Sequence, residues 1–153
     1  MGDRADIIIY NNGDVVEYHT HWSATIFPKL FEEYMKMAKE LSKGQLHWLT
    51  YPEYIGAYLS FIDGMTRYEN FKDKPLFPIK PDFYPRGSLR DTNGYAYIVI
   101  PEKIIDDKIM YRIIKAEVGF DEIPDDIIEL LKQRKLREAI EKLKIVEMMT
   151  ITV

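Results

Sequence analysis

Two β-rich runs, Asp6-Ile-Ile-Ile-Tyr10 and Val15-Val-Glu-Tyr-His-Thr-His-Trp22, stand on either side of Asn11-Asn-Gly-Asp14. Asn-Gly between such runs is a strong signal for a two-residue turn, because both central residues of that turn need positive φ. The chain therefore opens as a β-hairpin.

Helical spacing follows. Between Thr25 and Gly44, apolar residues at Ile26, Leu30, Phe31, Tyr34, Met35, Met37, Ala38 and Leu41 keep one face, with Pro28 suited to a first turn and Gly44 to a terminus. A second helix is expected from Thr50 as cap and Pro52 in the first turn, through Tyr54, Ile55, Tyr58, Leu59 and Ile62 to Asp63-Gly64. Residues 66–94 break every period, with Pro75, Pro78, Pro81 and Pro85 among aromatics and charges, and read as a long extended connection. Tyr95–Pro101 and Lys108–Glu117 read as strands joined through Asp106-Asp107. Their alternation is imperfect, as in strands covered on both faces. Pro124-Asp-Asp then starts a helical stripe to Leu143, in one bent helix or two, and the β-rich C-terminal VEMMTITV returns to the sheet. The order ββ-αα-loop-ββ-α(α)-β predicts an α+β fold with a single mixed or antiparallel sheet of about five strands, covered by helices.

At 153 residues, 1–153 is expected to form one globular domain large enough to hold its fold through its core. There is no cysteine, so disulfides, thiolate metal sites and cysteine nucleophiles are excluded. No stretch is long and apolar enough to suggest a signal peptide or a membrane span, and a cytoplasmic setting is expected. A net charge of −4 gives no global attraction to nucleic acid or anionic membrane. Two glutamines, twenty isoleucines and many Lys and Glu fit a thermophile's avoidance of labile residues.

The stretch most suggestive of chemistry is Glu17-Tyr-His-Thr-His-Trp-Ser-Ala-Thr25. On a strand, Glu17, His19 and His21 share one row and Val16, Tyr18, Thr20 and Trp22 the other, which is expected to face the core. Residues two apart lie about 6.6 Å from each other along the strand, so the imidazoles of His19 and His21 can converge on one divalent metal such as zinc. Glu17 on the same row, His47 or Asp63 would supply a third ligand. The other reading is an exposed polar strand face. Ser23 lacks a nucleophile elbow, and Ser23 or Thr25 is expected to cap the first helix.

The hairpin ending in Tyr18-His-Thr-His-Trp22 and running into a helix resembles a group of small uncharacterised archaeal, bacterial and phage proteins. Their first hairpin ends in His-Trp followed by Asp or Ser and Gly, and Asp91-Thr-Asn-Gly-Tyr-Ala-Tyr-Ile-Val-Ile100 looks like their mid-chain acidic and aromatic strand. Here Ser23 and Ala24 stand where an acidic residue and glycine are common. The resemblance implies no particular activity.

In the 66–90 connection, Arg67, Lys72, Lys74, Lys80, Arg86 and Arg90 outnumber Glu69, Asp73 and Asp82. Phe77, Phe83 and Tyr84, interleaved with Lys72, Lys74, Lys80, Arg86 and Arg90, would suit base stacking and phosphate contact on a single strand of nucleic acid. The same segment suits an arm that packs on its own domain, reaches across a dimer, or binds a protein partner. Tyr51, Tyr54 and Tyr58 share one helical side, as in a core or a homo-oligomer interface. No phosphate loop, dinucleotide fingerprint, zinc-protease helix or calcium loop is present. The expected role is thus a binding or accessory domain, with a metal-dependent hydrolase built on Glu17, His19 and His21 as the alternative and nucleic-acid binding third.

Overall fold

The computed structural model describes residues 3–76, 78–87, 94–118 and 123–153. The fold is α+β, with one mixed six-stranded sheet in the order β3-β2-β1-β4-β5-β6. Strands β1 (Ala5–Asn11) and β2 (Asp14–Thr20) form the expected hairpin, with Asn12 and Gly13 at φ 47° and 96°. Strand β4 (Tyr95–Ile105) runs parallel to β1, and the other neighbours, β5 (Lys108–Glu117), β6 (Lys144–Thr152) and β3 (Phe83–Pro85), pair antiparallel.

Helix α1 (Phe27–Leu41), a 3-10 helix (Leu46–Thr50) and helix α2 (Pro52–Phe71) cover one face of the sheet, while α3 (Asp125–Lys132) and α4 (Leu136–Glu141) cover the other. This explains why the central strands are continuously apolar. In β1, Ile7 and Ile9 pack towards α1 and α2, and Ile8 packs towards α3, all fully buried. Each such isoleucine contributes about 1.5–3 kcal/mol of transfer free energy. Gly56 on α2 leaves room for the Tyr18 ring of β2, so helix and sheet approach closely there.

Several expectations need correction. Neither Ser23 nor Thr25 caps α1. The N-cap is Ile26, without a side-chain bond; Ser23 Oγ donates to Asp82 and the Thr25 N–H donates to Asp3 Oδ2 at 2.7 Å. Thr50 ends the 3-10 helix, its hydroxyl bonded to His47 O, and Tyr51 stands at the N-cap of α2. That helix continues seven residues past Gly64, which is exposed, because Asp63 points inward and Arg67 closes an i,i+4 ion pair on it at 3.0 Å. The 66–94 connection is thereby shortened, and it also contains β3. Positions 91–93 of the likeness to small proteins lie outside the described residues. Among the described residues no helix is long and apolar enough to cross a membrane.

Candidate functional site

The Glu17–Thr25 stretch is divided between two buried carboxylates on opposite faces of the sheet. On the α3 side, the hairpin register sets His19 opposite Asp6, and His19 Nδ1 lies 3.2 Å from Asp6 Oδ1. A carboxylate accepts, so Nδ1 is the donor. Asp6 Oδ2 accepts the Ile123 N–H at 3.0 Å, which ties the approach to α3 onto the strand. Arg86, just past β3, brings Nε to 3.5 Å from Asp6 Oδ1 and pairs through Nη1 with Glu17. The Tyr84 ring leans on the His19 imidazole at 5.3 Å. His19 is thus buried at 4% exposure rather than displayed on a polar strand face.

The histidine row stops there. β2 ends at Thr20, and the chain wraps around Asp82, which is completely buried. Asp82 Oδ1 accepts the Thr20 hydroxyl at 3.0 Å and the N–H groups of His21 and Trp22 at 2.9 and 2.8 Å, while Oδ2 accepts Ser23 Oγ. Arg67 Nη2 reaches Asp82 Oδ2 at 3.0 Å and Arg67 Nε reaches Asp63 Oδ2 at 3.0 Å, so one guanidinium joins both acids. Tyr34 donates to Asp63 Oδ1 at 2.9 Å. Burial, reinforced by the Asp63 charge and this bond, pushes the Tyr34 phenol well above the ordinary tyrosine value. Burial foremost does the same to Tyr97 and Tyr111, whose hydroxyls donate to Ala24 O and Leu49 O.

The expected metal ligands therefore have other neighbours. Glu17 and His19 join Arg86 and Asp6, and His21 sits edge-on to Trp22 with Arg4 Nη2 at 3.5 Å. Asp63 belongs to the Tyr34 and Arg67 network, and His47 lies edge-on to Trp48 and Tyr51. Among the described residues no group of three or more His, Cys, Asp or Glu side chains could hold a metal ion. Asp6 was missed in the sequence, although counting outward from the two-residue turn pairs it with His19. Asp82 carries no comparable sequence signal.

Of the residues expected to meet a partner or nucleic acid, Phe83 enters the core and Tyr84 and Arg86 support His19 and Glu17. Lys72 pairs with Glu69 at 3.0 Å, Lys74 lies over the Phe71 ring, and Lys80 borders a cleft of about 290 Å³ with Trp22, Arg67 and Phe71. Phe77 and Arg90 lie outside the described residues. Trp22, expected to anchor the hairpin in the core, is 40% exposed with the Arg67 guanidinium over its ring.

An apolar display lies elsewhere. Along α2, Tyr54, Phe61 and Tyr68 recur at seven-residue spacing and are 46%, 57% and 56% exposed; Trp48 and Tyr51 of the preceding segment extend the ridge. Between Tyr54 and Tyr68 the other exposed residues are Ala57 and Gly64, so this outer face, about 21 Å long, carries no exposed charge. Tyr54 meets Trp48 and Tyr51 edge-on at 6.1 and 5.6 Å, and a cleft of about 330 Å³ opens among Trp48, Tyr54, Ala57, Tyr58 and Phe61. Comparison of the chain with protein-family models, with curated protein sequences and with solved structures finds no match.

Proposed function

We propose that the protein is a binding or accessory domain that recognises a protein partner, including a second copy of itself, through the aromatic ridge of α2 and the 3-10 helix. The observation that carries this reading is the exposure of Trp48, Tyr51, Tyr54, Phe61 and Tyr68 on one continuous surface with no exposed charge between Tyr54 and Tyr68. At roughly 150–250 Å² per aromatic side chain, the exposed fractions amount to on the order of 400–600 Å². That is at the upper end of apolar patches on monomers and approaches the roughly 800 Å² per partner of a specific interface. Tyr and Trp are the side chains that dominate binding energy at such interfaces, offering rigid area with few rotamers to freeze. The neighbours of Glu17, His19, His21 and Asp63 favour this reading over metal-dependent hydrolysis, since each is engaged within the protein's own framework.

A photocrosslinking residue at position 61, in cells producing the protein, is expected to yield a discrete protein adduct, whereas the same residue at exposed position 141 on α4 yields none. Phe61→Glu is expected to abolish the adduct formed from position 54 while changing stability by no more than about 0.5 kcal/mol, because the ring is already mostly in water. Equal labelling from positions 61 and 141, or none from either, would overturn the proposal.

A further inference from the structure

The protein carries a net charge of −4, so its cations have ample carboxylates to meet. In the proline-rich region most do. Arg67 bridges Asp63 and Asp82, Arg86 meets Glu17 and Asp6, and Lys72 meets Glu69. The last turns of α1 differ. Lys36, Lys39 and Lys43 recur at spacings of three and four, which sets them along one side of the helix and its exit. Lys108, the first residue of β5, comes from a distant part of the chain to the same groove.

This groove has a volume of about 710 Å³ and is lined by those four lysines, with Glu40 the one carboxylate side chain among its lining residues. None of the four lysines forms an ion pair with a carboxylate among the described residues. The partial negative charge at the end of α1 accounts for lysines in the last turn. It does not account for Lys108, which belongs to another element and brings a fourth like charge to the groove. Like charges gathered without counter-ions repel one another, and an anion seated among them would relieve that repulsion.

We propose that this groove binds a compact polyphosphate anion, a short run of linked phosphates either free or carried on a nucleotide. Four ammonium groups are compact donors of three hydrogen bonds each and match several adjacent phosphate oxygens. Glu40 and the Val153 main-chain carboxylate, which also lines the groove, would leave two of those four charges unanswered. The site is independent of the aromatic ridge. It also moves anion recognition away from the 66–90 segment, where Arg67, Lys72 and Arg86 are paired with carboxylates.

Calorimetric titration with inorganic tripolyphosphate in low salt is expected to show saturable one-site binding that weakens steeply as salt is raised. Lys39→Gln and Lys108→Gln, on separate elements, are each expected to weaken it about tenfold with unchanged thermal melting. Orthophosphate should bind far more weakly. Adenosine triphosphate binding equally well would assign the site to the phosphate run itself, and tighter binding would assign it to a nucleotide. Absence of binding in low salt would overturn the proposal, as would loss in a Lys72, Lys74 and Lys80→Gln triple variant but not in the groove variants. An oligonucleotide that bound more tightly than either, with affinity growing beyond the length of the groove, would also overturn it in favour of a nucleic-acid surface.

Discussion

Asp82 and Asp6 are both buried carboxylates that touch the same strand, yet they are held differently. Asp82 accepts from four consecutive residues, Thr20 to Ser23, through two hydroxyls and two backbone N–H groups, and from Arg67, all within 3.0 Å. Asp6 has one backbone N–H at 3.0 Å, the His19 imidazole at 3.2 Å and a guanidinium at 3.5 Å. The first arrangement fixes where the chain leaves β2 and turns towards α1. The second joins the hairpin to the segment entering α3 through longer contacts to groups that can rotate. A cluster of His, Ser and Thr that looks like chemistry in the sequence is here largely the lining of one carboxylate.

The difference predicts unequal losses. Asp82→Ala removes the acceptor for two buried hydroxyls and two N–H groups and strips Arg67 of one of its two acids. Breaking a buried pair from one side costs about 3–5 kcal/mol. Urea unfolding should show a loss of that size, and a loss below about 1 kcal/mol would break the comparison. Asp6→Ala should cost less, about 1–3 kcal/mol, from the contacts that the Ile123 N–H and the His19 imidazole make with this carboxylate. Its distinguishing sign is local. Exchange of the Ile123 amide hydrogen should quicken in Asp6→Ala and keep its rate, relative to global stability, in Asp82→Ala.

The same contrast explains what was legible in the sequence. Local signals carried the Asn12-Gly13 turn, Pro28 and Pro52 in first turns, Gly44 at φ 79° beyond α1, and the doubly covered strands. The break between α3 and α4 at Arg134, φ 64°, was open between one helix and two. What failed depended on partners far along the chain. Strand β3 is three residues long, too short for a periodic signal. Ser23 and Trp22 were misplaced because the acid that orders them lies some sixty residues away. His19 looked exposed because alternation assigns faces but not whether the second face is covered, and in this protein residues from 123 onward cover it.

A smaller effect separates the two carboxylates by pH. Tyr34 reaches the Asp82 network through Asp63 and Arg67, and its phenol is raised first by burial and then by Asp63. In the unfolded chain a tyrosine loses its proton near pH 10, while in the fold Tyr34 keeps it. Above that pH the folded state therefore holds more protons than the unfolded state, and stability falls as pH rises; below it the contribution is fully present. One such group is worth up to about 1.4 kcal/mol per pH unit. Tyr97 and Tyr111 add to the alkaline slope in the same sense. Tyr34→Phe should lose about 1 kcal/mol at neutral pH, where Asp63 misses a donor, and then show a shallower decline between pH 10 and 11 than the unsubstituted protein. Asp6→Ala leaves the Tyr34 bond in place and should keep the steeper decline. Matching slopes for Tyr34→Phe and the unsubstituted protein would mean that the Asp63 and Asp82 network does not hold this proton, and the separation of the two carboxylates by pH would be lost.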